Sequence, residues 1–158
     1  MTRILPSTLL TGMIMMTPCL AAETDSDAVA EIQAMLQKHD NALNEHNLDA
    51  VLETYAADPK VVLMGTGPDE LRVGREEIEE AYKYFFEDFE AGSLSVDCPW
   101  KMGHAKGEMA WLAAVCQFKD SLEGKEREYF INVSAALEKQ DGAWRFSTMH
   151  MSNLTGGE

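Results

Sequence analysis

Positive charge is what this sequence has least of: 13 Lys and Arg stand against 27 Asp and Glu, a formal net charge of -14. Phosphate backbones and anionic lipid surfaces are gripped by clustered cations, and no such cluster occurs here, so nucleic acid and anionic membrane partners are excluded. Cysteine is scarce as well, three in 158 residues, too few for a disulfide framework. His46 and His104 stand apart from other His, Cys and carboxylate residues at any metal-ligand spacing, so neither a metal nor another cofactor is expected. The glycine-rich turn at residues 65–69 lacks the lysine and the spacing of a phosphate loop. There is no internal repeat, linker or low-complexity tract. Past residue 22 no apolar run approaches the roughly 20 residues that a spanning helix needs.

What apolar length exists lies at the N-terminus. Arg3 is the single charge before an uncharged stretch from Ile4 to Leu20, broken by Pro6 and Pro18. The stretch ends at Ala21-Ala22-Glu23, where small residues suit a signal peptidase cutting after Ala21 or after Ala22. Residues 1–22 therefore read as an export signal, and the mature chain as periplasmic or secreted, with no membrane partner once the signal is gone. A lipid anchor on Cys19 is the rival reading, opposed by Pro18, because that processing takes a small residue before the cysteine. Without the signal, 12 basic residues face 27 acidic ones, a surplus that serves solubility. Residues 24–154 make one domain, long enough to bury roughly two thirds of its unfolded surface.

Periodicity orders this domain. Thr24 to Asp27 supplies capping side chains, and Val29, Ile32, Leu36, His39 and Leu43 recur on one helical face. Asn47 caps a second helix with Leu48, Val51, Leu52 and Tyr55 on one side, and Pro59 ends it. Lys60 to Met64 is a short strand before the glycine turn. Gly74 opens a third helix, with Glu76 and Glu77 complementing its dipole. Its buried stripe is Ile78, Ala81, Tyr82, Phe85 and Phe89, and Gly92 is its stop. After Gly92 the period changes to 2, the segment from Glu108 to Lys119 is apolar on both faces, and four long strands result. Helices followed by antiparallel strands make an α+β domain with helices on one face of a curved sheet.

Strand register can be pushed further. If Asp141-Gly142 is a two-residue loop, Leu137 faces Phe146 and Val133 faces His150, which puts His150 on an apolar face. In the hairpin holding Trp111, the tip Ala105-Lys106-Gly107 admits two loops. A two-residue loop sets Cys98 and Cys116 on opposite faces, whereas a three-residue loop makes them diagonal neighbours at the edge of disulfide reach. Pro99 hints at a bulge that closes the gap, so the pairing stays open.

Three stretches together carry a resemblance: VVLMGTGPDELRVGREEIEEAY at 61–82, MAWLAAVCQF at 109–118 and VSAALEKQDGAWRFSTMHMS at 133–152. In this order they resemble the SnoaL-like branch of the nuclear transport factor 2-like superfamily, over residues 27–154. The resemblance implies a cone-shaped barrel, a strongly curved, mainly antiparallel sheet wrapped around three N-terminal helices. It also implies a pocket at the open end and, commonly, a homodimer through the sheet. The superfamily includes isomerases, dehydratases, cyclases, epoxide hydrolases and non-catalytic association domains, so activity does not follow from it. In its closing motif a basic residue often stands where this chain has Asn132.

Two histidines are the leading candidates for chemistry. His39 lies on the apolar stripe of the first helix and His150 on the apolar face of the last strand. If that helix crosses that sheet, as the resemblance implies, both imidazoles enter one interior and can serve as base and acid in a dehydration or isomerisation. Asp40 is the carboxylate helper, and Tyr55, Tyr82 and Tyr129 are hydroxyl donors. Trp111, with Phe85, Phe89, Trp144 and Phe146, forms an aromatic wall for an apolar ligand. The plainer readings are buried, hydrogen-bonded histidines, aromatics that only fill the core, and an Arg72 engaged in a salt bridge rather than an anion contact. Three functions follow: an exported domain that binds a small apolar or aromatic molecule, a cofactor-free dehydratase or isomerase, or a non-catalytic homo-oligomerising module. Only the last needs no open cavity.

Overall fold

The computed structural model describes residues 25–154; the export segment at 1–22 and residue 24 lie outside the described residues. Helix α1 (Asp25–Asn44) buries Ile32, Leu36, His39 and Leu43 of the stripe that its spacing predicts, with Ala28 and Met35 beside them, while Val29 is half-buried. It ends where His46 takes a positive φ of 53° and the N–H of Asn47 reaches back to the carbonyl of Ala42 at 2.9 Å, a Schellman-type stop. Asn47 then caps α2 (Leu48–Leu52), its side-chain oxygen accepting from the Ala50 N–H at 3.1 Å. Strands β1 (Val62–Met64) and β2 (Leu71–Val73) pair across the glycine turn and lead into α3 (Arg75–Phe85). The third helix is shorter than its stripe predicts. The N–H groups of Glu87 and Asp88 bond only three residues back, to Tyr84 and Phe85, and this tighter winding still delivers Phe89 to the core.

Strands β3 (Ser95–Lys106), β4 (Met109–Leu122), β5 (Lys125–Gln140) and β6 (Ala143–Asn153) follow as a meander. The six-stranded sheet runs β2-β1-β6-β5-β4-β3, antiparallel except where β1 lies parallel to β6. This is the expected α+β cone, a curved, mainly antiparallel sheet around the helices. Among the described residues no helix is long and apolar enough to cross a membrane.

Two bulges decide which side chains face the interior. The predicted pairing of β5 and β6 holds from Gln140 and Ala143 as far as Leu137 and Phe146, and then Ser147 is an extra residue. Beyond it Ala136 pairs with Thr148 and Ser134 with His150. One added residue exchanges the two faces of a strand, so Met149 is buried and His150 is exposed. The expectation that His150 faces the interior opposite Val133 is thereby corrected. The bulge falls where β6 changes partners on its far side. Phe146 bonds the backbone of Thr54 and Ala56, at 2.8 and 2.9 Å, and β1 takes over from Thr148.

The second bulge sits on edge strand β3. The hairpin tip is the two-residue loop Gly107-Glu108, since Lys106 pairs with Met109. Uninterrupted pairing would separate the cysteines, but the register shifts between Asp97 and Trp100. Pro99, which has no N–H to offer a ladder, falls within that shift. Cys98 and Cys116 consequently share a face and are joined by a disulfide.

Trp111 is a second correction. On β4 the even-numbered residues Ala110, Leu112, Ala114, Cys116 and Phe118 are buried, and Trp111 is 43% exposed on the outer face opposite His104 and Ala136. The outer face is itself apolar, with Met102, Met109 and Phe130 also exposed, so alternation alone left the phase of this strand open.

Converting both bridged cysteines to serine is expected to lower the unfolding free energy by about 3 kcal/mol for a loop of this length, read by urea denaturation without reductant; an unchanged midpoint would show the bridge contributes nothing. Trp111→Ala is expected to stay within about 1 kcal/mol of the parent, whereas a loss of about 3–5 kcal/mol would return Trp111 to the core.

Candidate functional site

The helical period sets His39 on the inner stripe of α1, only 1% exposed, and Asp40 at the edge of that stripe. A buried imidazole needs partners for both ring nitrogens. His39 Nδ1 lies 3.2 Å from Asp40 Oδ1, and Nε2 lies 2.9 Å from the hydroxyl of Tyr82 on α3. The Tyr82 hydroxyl is in turn 2.6 Å from that of Tyr55, which stands 3.5 Å from the sulfur of Met149. An ionised carboxylate only accepts, so Nδ1 carries the ring hydrogen of neutral His39 and Nε2 accepts from Tyr82. The Tyr82 oxygen then accepts from Tyr55. Every donor along the line points toward Asp40.

Burial raises the pKa of both phenols well above the ordinary range, and for Tyr82 the neighbouring Tyr55 and Asp40 add to the effect. Both stay protonated in neutral solution. Tyr82 is therefore a neutral donor and acceptor, not a phenolate.

A cavity of about 310 Å³ opens beside this line, at the small end of the ~300–1,000 Å³ range of ligand sites. Its walls are largely apolar, drawn from Leu43, Leu63, Phe85, Phe118 and Met151, and Tyr82 stands among them. Glu70, Arg72 and Asp88 supply its charged lining. A second cleft, of only about 10 Å³, borders His39, Asp40 and the two bridged cysteines, and is no larger than one water requires. Leu43, Phe118 and Met151 belong to both spaces, so these three side chains separate the larger cavity from the imidazole.

Of the residues expected at a site, His39, Asp40, Tyr55 and Tyr82 are brought into one hydrogen-bonded line, and Tyr82 and Phe85 line the cavity. Tyr55 is buried beyond Tyr82 and does not line it. Tyr129 is held elsewhere: its hydroxyl donates to Asp120 at 2.9 Å and its ring stacks on Phe118 at 5.5 Å. Asp120 also accepts from Arg127 Nε at 2.6 Å. Trp111 and His150 lie on the outer face, so the expected pairing of two histidines in one interior does not occur. Sequence reasoning missed Met149 and Met151, whose phase depends on the Ser147 bulge, and Phe118, on a strand that is apolar on both faces. It also left Arg72 undecided. In β2 the apolar residues Leu71 and Val73 point outward while Arg72, paired with Leu63, takes the inner face, the reverse of the usual pattern.

The sequence profile of the SnoaL-like domain matches residues 32–156. No curated protein matches the chain. Among solved structures, a candidate calcium/calmodulin-dependent protein kinase II association domain from Xanthomonas campestris is 25% identical with a TM-score of 0.70, over 88% of this chain and 94% of that one. A nuclear transport factor 2-like protein from Pseudomonas putida is 15% identical with a TM-score of 0.71, over 86% and 93%. A candidate dehydratase of the same superfamily from Streptomyces avermitilis is 11% identical with a TM-score of 0.71, over 84% and 100%. With the profile spanning most of the chain and the cone already described, the chain belongs to the SnoaL-like domain family of the nuclear transport factor 2-like superfamily.

Proposed function

We propose that the mature chain is an exported binding domain for a small, largely apolar molecule, seated in the cone with Tyr82 beside one of its oxygen atoms. The observation that carries this reading is that Tyr82 lines the 310 Å³ cavity while its hydroxyl is tied to His39 and, through it, to Asp40. One oriented polar group in an apolar wall fixes the pose of a ligand that burial alone would hold in many poses. The Cys98–Cys116 bridge supports export, because disulfides persist in oxidising compartments. The exposed Met109, Trp111 and Phe130 on the outer face support a homodimer formed through the sheet.

The same line favours a second reading, acid–base catalysis of the dehydratase or isomerase type with His39 alone. When His39 is protonated, with Asp40 stabilising the imidazolium, its Nε2 proton passes to the Tyr82 oxygen as Tyr82 passes its own hydrogen to a ligand oxygen, which leaves His39 neutral and Tyr82 a phenol. A purely structural association role would leave the cavity without a use.

A thermal-shift screen of small aromatic alcohols, ketones and acids tests the binding reading, using the parent, Tyr82→Phe and Trp111→Ala. A true cavity ligand is expected to stabilise the parent and Trp111→Ala alike, and to bind Tyr82→Phe about tenfold more weakly for one lost hydrogen bond. Equal binding to all three would remove Tyr82 as a contact, and loss in Trp111→Ala alone would move the site to the outer face. In urea, Tyr82→Phe is expected to cost about 1–3 kcal/mol because it strands a buried imidazole nitrogen. Tyr55→Phe should cost less, since Tyr82 keeps its bond to His39; the reverse order would show that the His39–Tyr82 contact is not the main tie.

A further inference from the structure

We propose that the ligand of the cone is an amphipathic carboxylate whose anionic end is bound by Arg72. The inference rests on the binding reading above and adds the chemical class of the ligand. In a chain so rich in acids, the bland expectation for an arginine is a carboxylate partner. Lys38, Lys83, Lys119 and Arg127 each have one within 4 Å. Arg72, Arg75 and Arg145 have no such partner among the described residues, and of these three it is Arg72 that lines the cavity.

Its guanidinium is held in place. A single nitrogen, Nη1, donates to the carbonyls of Asp69 at 2.8 Å and Leu71 at 3.0 Å. Guanidinium carries five N–H donors in a planar fork, so these two bonds leave the Nε–H and the Nη2 hydrogens with no protein acceptor among the described residues. Those donors form the side-on edge that matches the two oxygens of a carboxylate. Pinning the opposite nitrogen to the backbone removes most of the freedom that binding would otherwise have to freeze.

Two carboxylates share the lining, those of Glu70 and Asp88. Glu70 is folded over its own turn, with Oε2 accepting from the Gly67 N–H at 2.8 Å, and the missing side chain of Gly65 leaves the room it occupies. The Asp88 carboxylate lies in the field of Arg127, whose guanidinium donates to the Asp88 backbone carbonyl. Arg72 is the cation of the lining, set against walls of Leu43, Phe85 and Phe118. That combination suits a molecule with an apolar body and a carboxylate end.

Phenylbutyrate and phenylbutanol, which share an apolar body and differ at the polar end, separate the possibilities by calorimetry on the parent, Arg72→Gln and Arg72→Lys. The parent is expected to bind the acid roughly ten- to a hundredfold more tightly than the alcohol. Arg72→Gln should lose that preference. Arg72→Lys should keep part of it, since charge remains and the fork does not. Equal binding of acid and alcohol by the parent, or an acid preference that survives in Arg72→Gln, would overturn the inference while leaving the binding reading in place. If neither compound binds any of the three proteins, the cavity reading fails together with it.

Discussion

The need to satisfy one buried imidazole organises this molecule. His39 sits where α1 crosses the cone, sealed from water, and its two nitrogens accept no substitute for protein partners. Meeting that need joins α1 to α3 through Tyr82 and to the chain after α2 through Tyr55. A hydrogen bond of this kind adds only about 1 kcal/mol net, whereas leaving a buried group unpaired costs about 1–3 kcal/mol. The line is thus enforced more by what its loss would cost than by what its presence contributes. The same tie holds Tyr82 against the cavity wall, so one constraint serves both the fold and the site.

Much of this was legible in the sequence wherever a single period ran without interruption. The stripe of α1 places His39 and Asp40 correctly, the stripe of α3 places Tyr82 and Phe85, and the Asp-Gly turn fixes the pairing of Leu137 with Phe146. Legibility stops where the count of residues along a strand slips by one. Nothing local marks Ser147 as an extra residue; the strand bends there because its neighbour on the other edge changes, a fact that belongs to the tertiary arrangement. The slip removed His150 from the interior and admitted Met149 and Met151. Pro99 was a better signal, since a residue with no N–H sits poorly in a ladder, and it marked the bulge that brings the two cysteines together.

Trp111 was misplaced for a different reason. In a sheet with one wet face, size and apolarity point inward. Here Met102, Met109 and Phe130 make the outer face apolar as well, so the largest aromatic residue on β4 carries no directional information. Arg72 is the mirror case, a charged side chain on the inner face with apolar neighbours outside. An inverted pattern of this sort marks a strand whose interior is not simply a core. Solved structures only 11–25% identical keep this fold, so the fold by itself does not fix which side chains reach its interior.

The two bulges show how cheaply that choice can be altered. Each acts as a phase shifter, dividing its strand into a segment that keeps one assignment of faces and a segment that takes the opposite one. Losing or gaining a single residue at Pro99 or Ser147 would swap an entire set of lining residues for its exterior counterpart with no substitution at all. A lineage carrying this cone can therefore trade one interior for another by small insertions and deletions, and sequence identity is a poor guide to which interior a given member presents.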